Sequence, residues 1–136
     1  MSAKEVEGNK YSRYVKEYPV GMSPFGPVFT FSGEDDFKSS FSIFVIAVDH
    51  PALMEETPHA HDFDMYLVFC GMDPSKMNDL GAEIEFYYGE EREKYIITKP
   101  TTIYIPKGMI HCPLNFKKVT KPILFIHATI APRYKK

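Results

Sequence analysis

Histidines are the residues of this chain best suited to chemistry, and two of the five stand one residue apart. His59 and His61 lie in Pro58-His59-Ala60-His61-Asp62-Phe63-Asp64. In extended chain, successive side chains point to opposite faces, so imidazoles at i and i+2 point the same way. Such a pair can grip one ion from one strand. Asp64 follows closely enough to offer a carboxylate oxygen, and Asp62 is the competing carboxylate. A third imidazole, His111, comes just after a Pro-Gly turn in Pro106-Lys107-Gly108-Met109-Ile110-His111, and Asn115 completes the pattern PxGxxHxxxN. Pro and Gly make a tight turn, and His111 is delivered at its exit. Imidazoles with a carboxylate suit one divalent transition metal: Fe, Mn, Ni, Co, Cu or Zn. The general order of affinities does not choose among these. Open positions on such an ion can bind a chelating substrate, O₂ or an activated water.

Other residues are weighed against plainer roles. Tyr66 stands two residues past Asp64, and Glu85 alternates with Ile84 and Phe86. Both are candidate proton shuttles for a reaction at the metal; the plainer readings are an aromatic core filler and a solvated face. Tyr87 and Tyr104 are weaker candidates of the same kind. His127 shares a strand face with Phe125 and Thr129 and reads as a satisfied core histidine rather than a substrate contact. His50, before Pro51, reads as a loop residue, and Asn115 as a turn former. Cys70 and Cys112 read as packed free thiols. Cys112 directly follows His111 and is expected to face away from it.

Strands must position these side chains. Pro27–Phe31, Ser40–Val48, Asp64–Phe69, Glu83–Tyr88, Lys94–Thr98, Thr101–Ile105 and Ile123–Ile130 are rich in Phe, Tyr, Ile and Val, with turn signals between them. Residues 72–81 read as a surface loop, and a short helix is expected near residues 10–17. No amphipathic helix of three turns stands out. Short strands at regular spacing imply an all-β sandwich or barrel. At 136 residues the chain fits one domain. Residues 1–24 read as an N-terminal extension packing on the domain or on a partner subunit, and residues 25–136 as the domain itself.

Charge and hydropathy narrow the partners. A net charge of -2 and a pI near 6.2 give no basic field for nucleic acid. No apolar leader segment and no apolar run long enough to span a membrane are visible, so a cytoplasmic location is expected.

Taken together, the two histidine segments resemble the motifs of the cupin superfamily. His59-Ala60-His61, then Asp64, then six residues and Gly71 match the family's first motif; Pro106 to Asn115 matches the second. The chain departs from that pattern where Leu53 and Pro100 replace the opening glycines. Its acidic residue is Asp rather than Glu, one residue nearer the His pair. The resemblance implies a double-stranded β-helix, a jelly-roll barrel, with a metal inside one end. It places His59, His61, Asp64 and His111 in the ligand positions. It also implies a metal-dependent enzyme acting on a small polar molecule by oxygenase, lyase or isomerase chemistry. The alternative is a non-catalytic small-molecule binding or sensing module. Pairing as a homodimer is expected, with the Tyr-bearing N-terminal segment reaching across.

Overall fold

The computed structural model describes residues 3–8 and 10–134. Twelve strands run β1 (Lys4–Glu5), β2 (Lys16–Glu17), β3 (Gly21–Ser23), β4 (Gly26–Phe31), β5 (Ser42–Val48), β6 (Ala52–Glu55), β7 (Met65–Gly71), β8 (Ala82–Tyr88), β9 (Glu93–Ile97), β10 (Thr101–Ile105), β11 (His111–Val119) and β12 (Ile123–Thr129). One five-residue helix, α1 (Gly33–Phe37), lies between β4 and β5. The architecture is all-β, as the strand pattern predicts. Among the described residues no helix is long and apolar enough to cross a membrane.

The strands form two main antiparallel sheets. One has the order β10-β7-β12-β5-β4-β3, the other β6-β11-β8-β9. Each contributes one apolar face. Met65, Leu67 and Phe69 of β7 alternate with less buried residues, as do Ile123 and Phe125 of β12. From the second sheet, Ile84 and Phe86 of β8 and Leu114 and Phe116 of β11 are buried. Phe116 meets Phe69 and Phe125 at ring-centroid distances of 6.1 and 5.6 Å, joining the two sheets. Alternation with a period of two therefore builds the core from both faces.

Three local features differ from the sequence reading. Residues 10–17 hold only a 3₁₀ turn at Ser12–Tyr14, flanked by the small β1–β2 pair, rather than a helix. Strand β11, nine residues long, was not predicted, because Pro113 and the motif turn mask it. Its ladder with β8 slips between His111 and Leu114, and Cys112 there has φ of 85°. Such a bulge lets two consecutive side chains face the same side. Both His111 and Cys112 are buried as a result, so Cys112 does not face away from its neighbour.

The C-terminal segment is tied back across the six-stranded sheet. Ser42 Oγ, 4% exposed, accepts from Gly33 N–H and lies 2.9 Å from Pro132 O and 3.2 Å from Ala131 O. Glu34 N–H donates to Pro132 O at 3.1 Å. Arg133 then pairs with Asp35 at 2.7 Å and Glu34 at 3.4 Å. This anchoring delivers Tyr134 to the mouth of the histidine cavity.

Candidate metal centre

The two histidine segments are zipped together through the backbone. His59 N–H donates to His111 O at 3.1 Å, and His111 N–H donates to His59 O at 3.0 Å. Gly108 N–H donates to His61 O at 2.8 Å. The Pro-Gly turn at residues 106–108 is what brings β11 back beside residues 59–61. His59, His61 and His111 converge, and their ligating nitrogens all lie within 4.8 Å of one another.

The tautomers of two of these rings follow from their partners. His59 Nδ1 lies 2.7 Å from Thr57 O, and His111 Nδ1 lies 3.0 Å from Met109 O. A carbonyl oxygen only accepts, so each Nδ1 carries the proton and each Nε2 keeps its lone pair. Holding a ring by its second nitrogen in this way is how proteins orient metal-binding histidines. Burial pushes the His111 pKa down to about 4, and the neighbouring His59 and His61 act in the same direction. The ring is therefore neutral at pH 7, the form that ligates. His61 is stacked on Phe63 at 4.9 Å, which fixes its plane. The donor set thus fits a divalent transition metal.

Two of the three, His59 and His111, line a cavity of about 190 Å³. His59, His111, Cys112, Glu55, His127 and Tyr134 share its lining with Phe, Leu and Met side chains. A larger open groove of about 450 Å³ beside β9 and β10 is lined by Tyr, Ile, Phe and Thr and contains no imidazole or carboxylate. The chemistry therefore centres on the smaller cavity.

Not every expected residue joins the trio. Odd-numbered residues from His61 through Phe63, Met65, Leu67 and Phe69 are buried, whereas Asp62 and Tyr66 are exposed and Asp64 is half-buried. Asp64 therefore has the opposite parity from the histidine pair. Its Oδ1 accepts from Lys107 N–H at 2.8 Å, so it braces the Pro-Gly turn. Tyr66, 40% exposed, pairs with Tyr104 on the outer face at 5.1 Å. Glu85 also faces outward, pairing with Lys94 at 3.0 Å and Lys117 at 3.8 Å. Asn115 donates to that same carboxylate at 3.4 Å. Tyr66 and Glu85, the expected acid–base residues, thus lie on the strand faces opposite the buried Met65, Leu67, Ile84 and Phe86, and Glu85 is occupied by its ion pairs.

Glu55 and Tyr134 are the cavity residues that sequence reasoning missed. Glu55 ends β6, a strand too short to announce itself. Tyr134 lies beyond the last strand and reaches the site only through the tied-back C-terminal segment. Its ring stands 5.4 Å from His61 and 4.9 Å from His127. Burial pushes its hydroxyl pKa up to about 12, and Glu55 and Cys112 act the same way. It therefore remains a protonated donor at neutral pH.

No protein-family model and no curated protein matches the chain. Solved structures do match. Among them is oxalate decarboxylase of Bacillus subtilis, described with Mn(II) centres, at 10% identity and a TM-score of 0.59, over 88% of this chain. A structure of oxalate decarboxylase describing its substrate-binding mode and a reaction-specificity switch matches at 12% identity and a TM-score of 0.60, over 86%. This chain spans 29% of the length of either. At such identity the likeness speaks to the fold. Oxalate decarboxylase is a cupin, and with the sheet topology, the two motif segments and the three-histidine cluster in agreement, this chain has the cupin fold.

Proposed function

We propose that the chain is a metal-dependent cupin enzyme acting on a small polar metabolite, with one divalent transition metal held by His59, His61 and His111. The observation that carries this reading is the fixing of His59 and His111 through Nδ1 on backbone carbonyls, which leaves neutral Nε2 lone pairs for one ion. A bound ion supplies Lewis acidity to a substrate oxygen. The protein's own side chains supply the rest. Apolar walls exclude water, and Asp64 holds the turn that positions His111. Glu55, His127 and Tyr134 bring titratable groups to the same cavity. Such groups beside a ligand site favour catalysis over the alternative, a module that only binds or senses. The solved neighbour with Mn(II) centres makes manganese the first metal to supply.

Metal analysis of untagged protein, purified without chelators, tests this directly. About one equivalent per chain is expected, and a His59→Ala/His111→Ala double variant loses it. No metal in either protein, with no uptake of added Mn, Fe, Ni or Zn, sinks the proposal.

Pairing of two chains belongs to the same reading. Tyr11, Tyr14, Val15 and Met22 stand 52–76% exposed on the N-terminal arm. Of these, Tyr11 and Tyr14 stand together at 6.5 Å, and an exposed aromatic pair suits an interaction surface. Sedimentation is expected to give the mass of a dimer, and a monomer removes this part of the proposal.

A further inference from the structure

Tyr134 borders two cavities at once. On its inner side it lines the 190 Å³ cavity that His59 and His111 share. On its outer side it lines a groove of about 250 Å³, together with Thr30, Ser32, Asp35, Ser42 and Arg133. Phe44 is the other residue common to both. The rings of Tyr134 and Phe44 meet edge to face at 5.3 Å, with an interplanar angle of 74°, so together they form a partition between groove and cavity. Behind it, Tyr134 stands 4.9 Å from His127 and 5.4 Å from His61. His127 Nδ1 is buried and has no hydrogen-bond partner among the described residues. Packing against Phe44 and Tyr134 holds that ring, so it is not the satisfied core histidine that the sequence suggests.

The backbone leading to Tyr134 is fastened unevenly. Ala131 is 8% exposed, and Pro132 O accepts from Ser42 Oγ and from Glu34 N–H. Beyond Pro132 the fastening changes. Arg133 is held by ion pairs with Asp35 and Glu34, and all three side chains are more than half exposed. Ion pairs in that setting contribute little and are screened by salt. Tyr134 itself is seated by ring contacts with Phe44, Phe63, His61 and His127. The proline ring fixes φ at residue 132, so any swing falls on the bonds that follow it. A fixed point, a weak latch and a ring in the partition are the parts of a hinged gate.

We propose that Tyr134 is the gate of the metal-facing cavity. It swings beyond Pro132 to admit small molecules from the outer groove, and Arg133 latches it shut against α1. A cavity of about 150 Å³ accepts benzene, so 190 Å³ suits a guest of roughly six to eight non-hydrogen atoms. The gate selects for guests of that size, because a larger molecule needs the ring displaced for longer and further. Tyr134 is thus a specificity residue through access, whichever ion the histidines hold.

The test uses full-length, metal-free protein carrying Cys70→Ser, which leaves Cys112 as the sole thiol. Cys112 is 5% exposed and lines the inner cavity, so its labelling reports opening. Two probes are compared: methyl methanethiosulfonate, neutral and small, and the bulky 5,5′-dithiobis(2-nitrobenzoate). Each rate is divided by the rate in denatured protein. Tyr134→Ala is expected to speed the small probe by roughly 10-fold or more and to admit the bulky one. Tyr134→Phe keeps the ring and stays within about 2-fold of the parent. Added salt speeds small-probe labelling of the parent and has no such effect on Arg133→Ala, which already labels faster. Rates repeated in low urea separate a swinging gate, which leaves them flat, from global unfolding, which makes them climb. Three results overturn the proposal: equal small-probe rates in the parent and Tyr134→Ala, bulky-probe labelling of the parent as fast as small-probe labelling, or a Tyr134→Ala rate that climbs with urea. No metal enters the measurement, so failure of the metal-dependent reading leaves the gate standing, and failure of the gate leaves that reading standing.

Discussion

His127 and His111 are neutral histidines for the same physical reason: burial penalises their charged forms. The His127 pKa falls to about 4, with burial the largest cause and the three nearby histidines adding to it. An unfolded histidine titrates near 6.5. Between these values the unfolded chain takes up a proton that the folded chain refuses. Stability must therefore fall as pH drops through about 6.5, levelling off near 4. From pH 7 to pH 5 this one residue accounts for about 2 kcal/mol. Denaturant titrations of metal-free protein at the two pH values check it, with wild type losing about 2 kcal/mol more than His127→Phe. Equal losses mean that His127 is already hydrated in the folded state. Asp64 belongs to the same scale. Replacing it with Ala removes the acceptor for Lys107 N–H, and the expected result is weaker metal binding with the metal stoichiometry kept.

At the scale of elements, the site depends on two turns and one tied-back segment. The Pro-Gly turn returns β11 beside His59, and the bulge at Cys112 turns both His111 and Cys112 inward. The C-terminal segment converges on Ser42, which joins Gly33 N–H to the carbonyls of residues 131 and 132. Ser42→Ala takes the acceptor from the buried Gly33 N–H, while Pro132 O keeps Glu34 N–H, and is expected to cost about 1–3 kcal/mol. It also loosens the anchor that seats Tyr134. Thermal unfolding reads the first effect. Greater exposure of Tyr134 to chemical modification reads the second. Close approach of backbones makes a different demand at Gly26, where φ is 143° and a Cβ would stand 1.9 Å from Ala47 O. No other residue fits there without moving β4 away from β5.

Over the whole molecule, the two sheets are joined by a small aromatic core, and the metal-facing cavity lies between them. Phe116 is fully buried against Phe69 and Phe125. Phe116→Ala is expected to lower stability by about 3–5 kcal/mol, seen as a shifted midpoint in denaturant. Metal links to the same equilibrium, because an ion that binds only the folded chain stabilises it. At a free concentration one hundred times Kd the gain is about 2.7 kcal/mol. A rise in Tm on adding Mn(II), absent in the His59→Ala/His111→Ala variant, is the expected result.

Much of the fold was legible because period-two alternation is a local property of the chain. Thr101–Ile105 was read to the residue, and β4, β5, β7, β8, β9 and β12 to within one or two. The three histidines were legible because their spacing within each motif is short. Asp64 and Tyr66 are less buried than the odd-numbered His61, Phe63, Met65 and Leu67 beside them. Other features could not be read locally. β11 hides behind Pro113 and a bulge. Glu55 stands at the end of a four-residue strand. Tyr134 joins the site through contacts with Ser42 and α1, far away in sequence. The sequence by itself determined the strand faces and the metal-ligating residue types, because each depends on neighbours a few positions apart. Only the tertiary structure decided which titratable groups share the cavity, because that depends on how sheets, turns and the C-terminal segment close on one another in space.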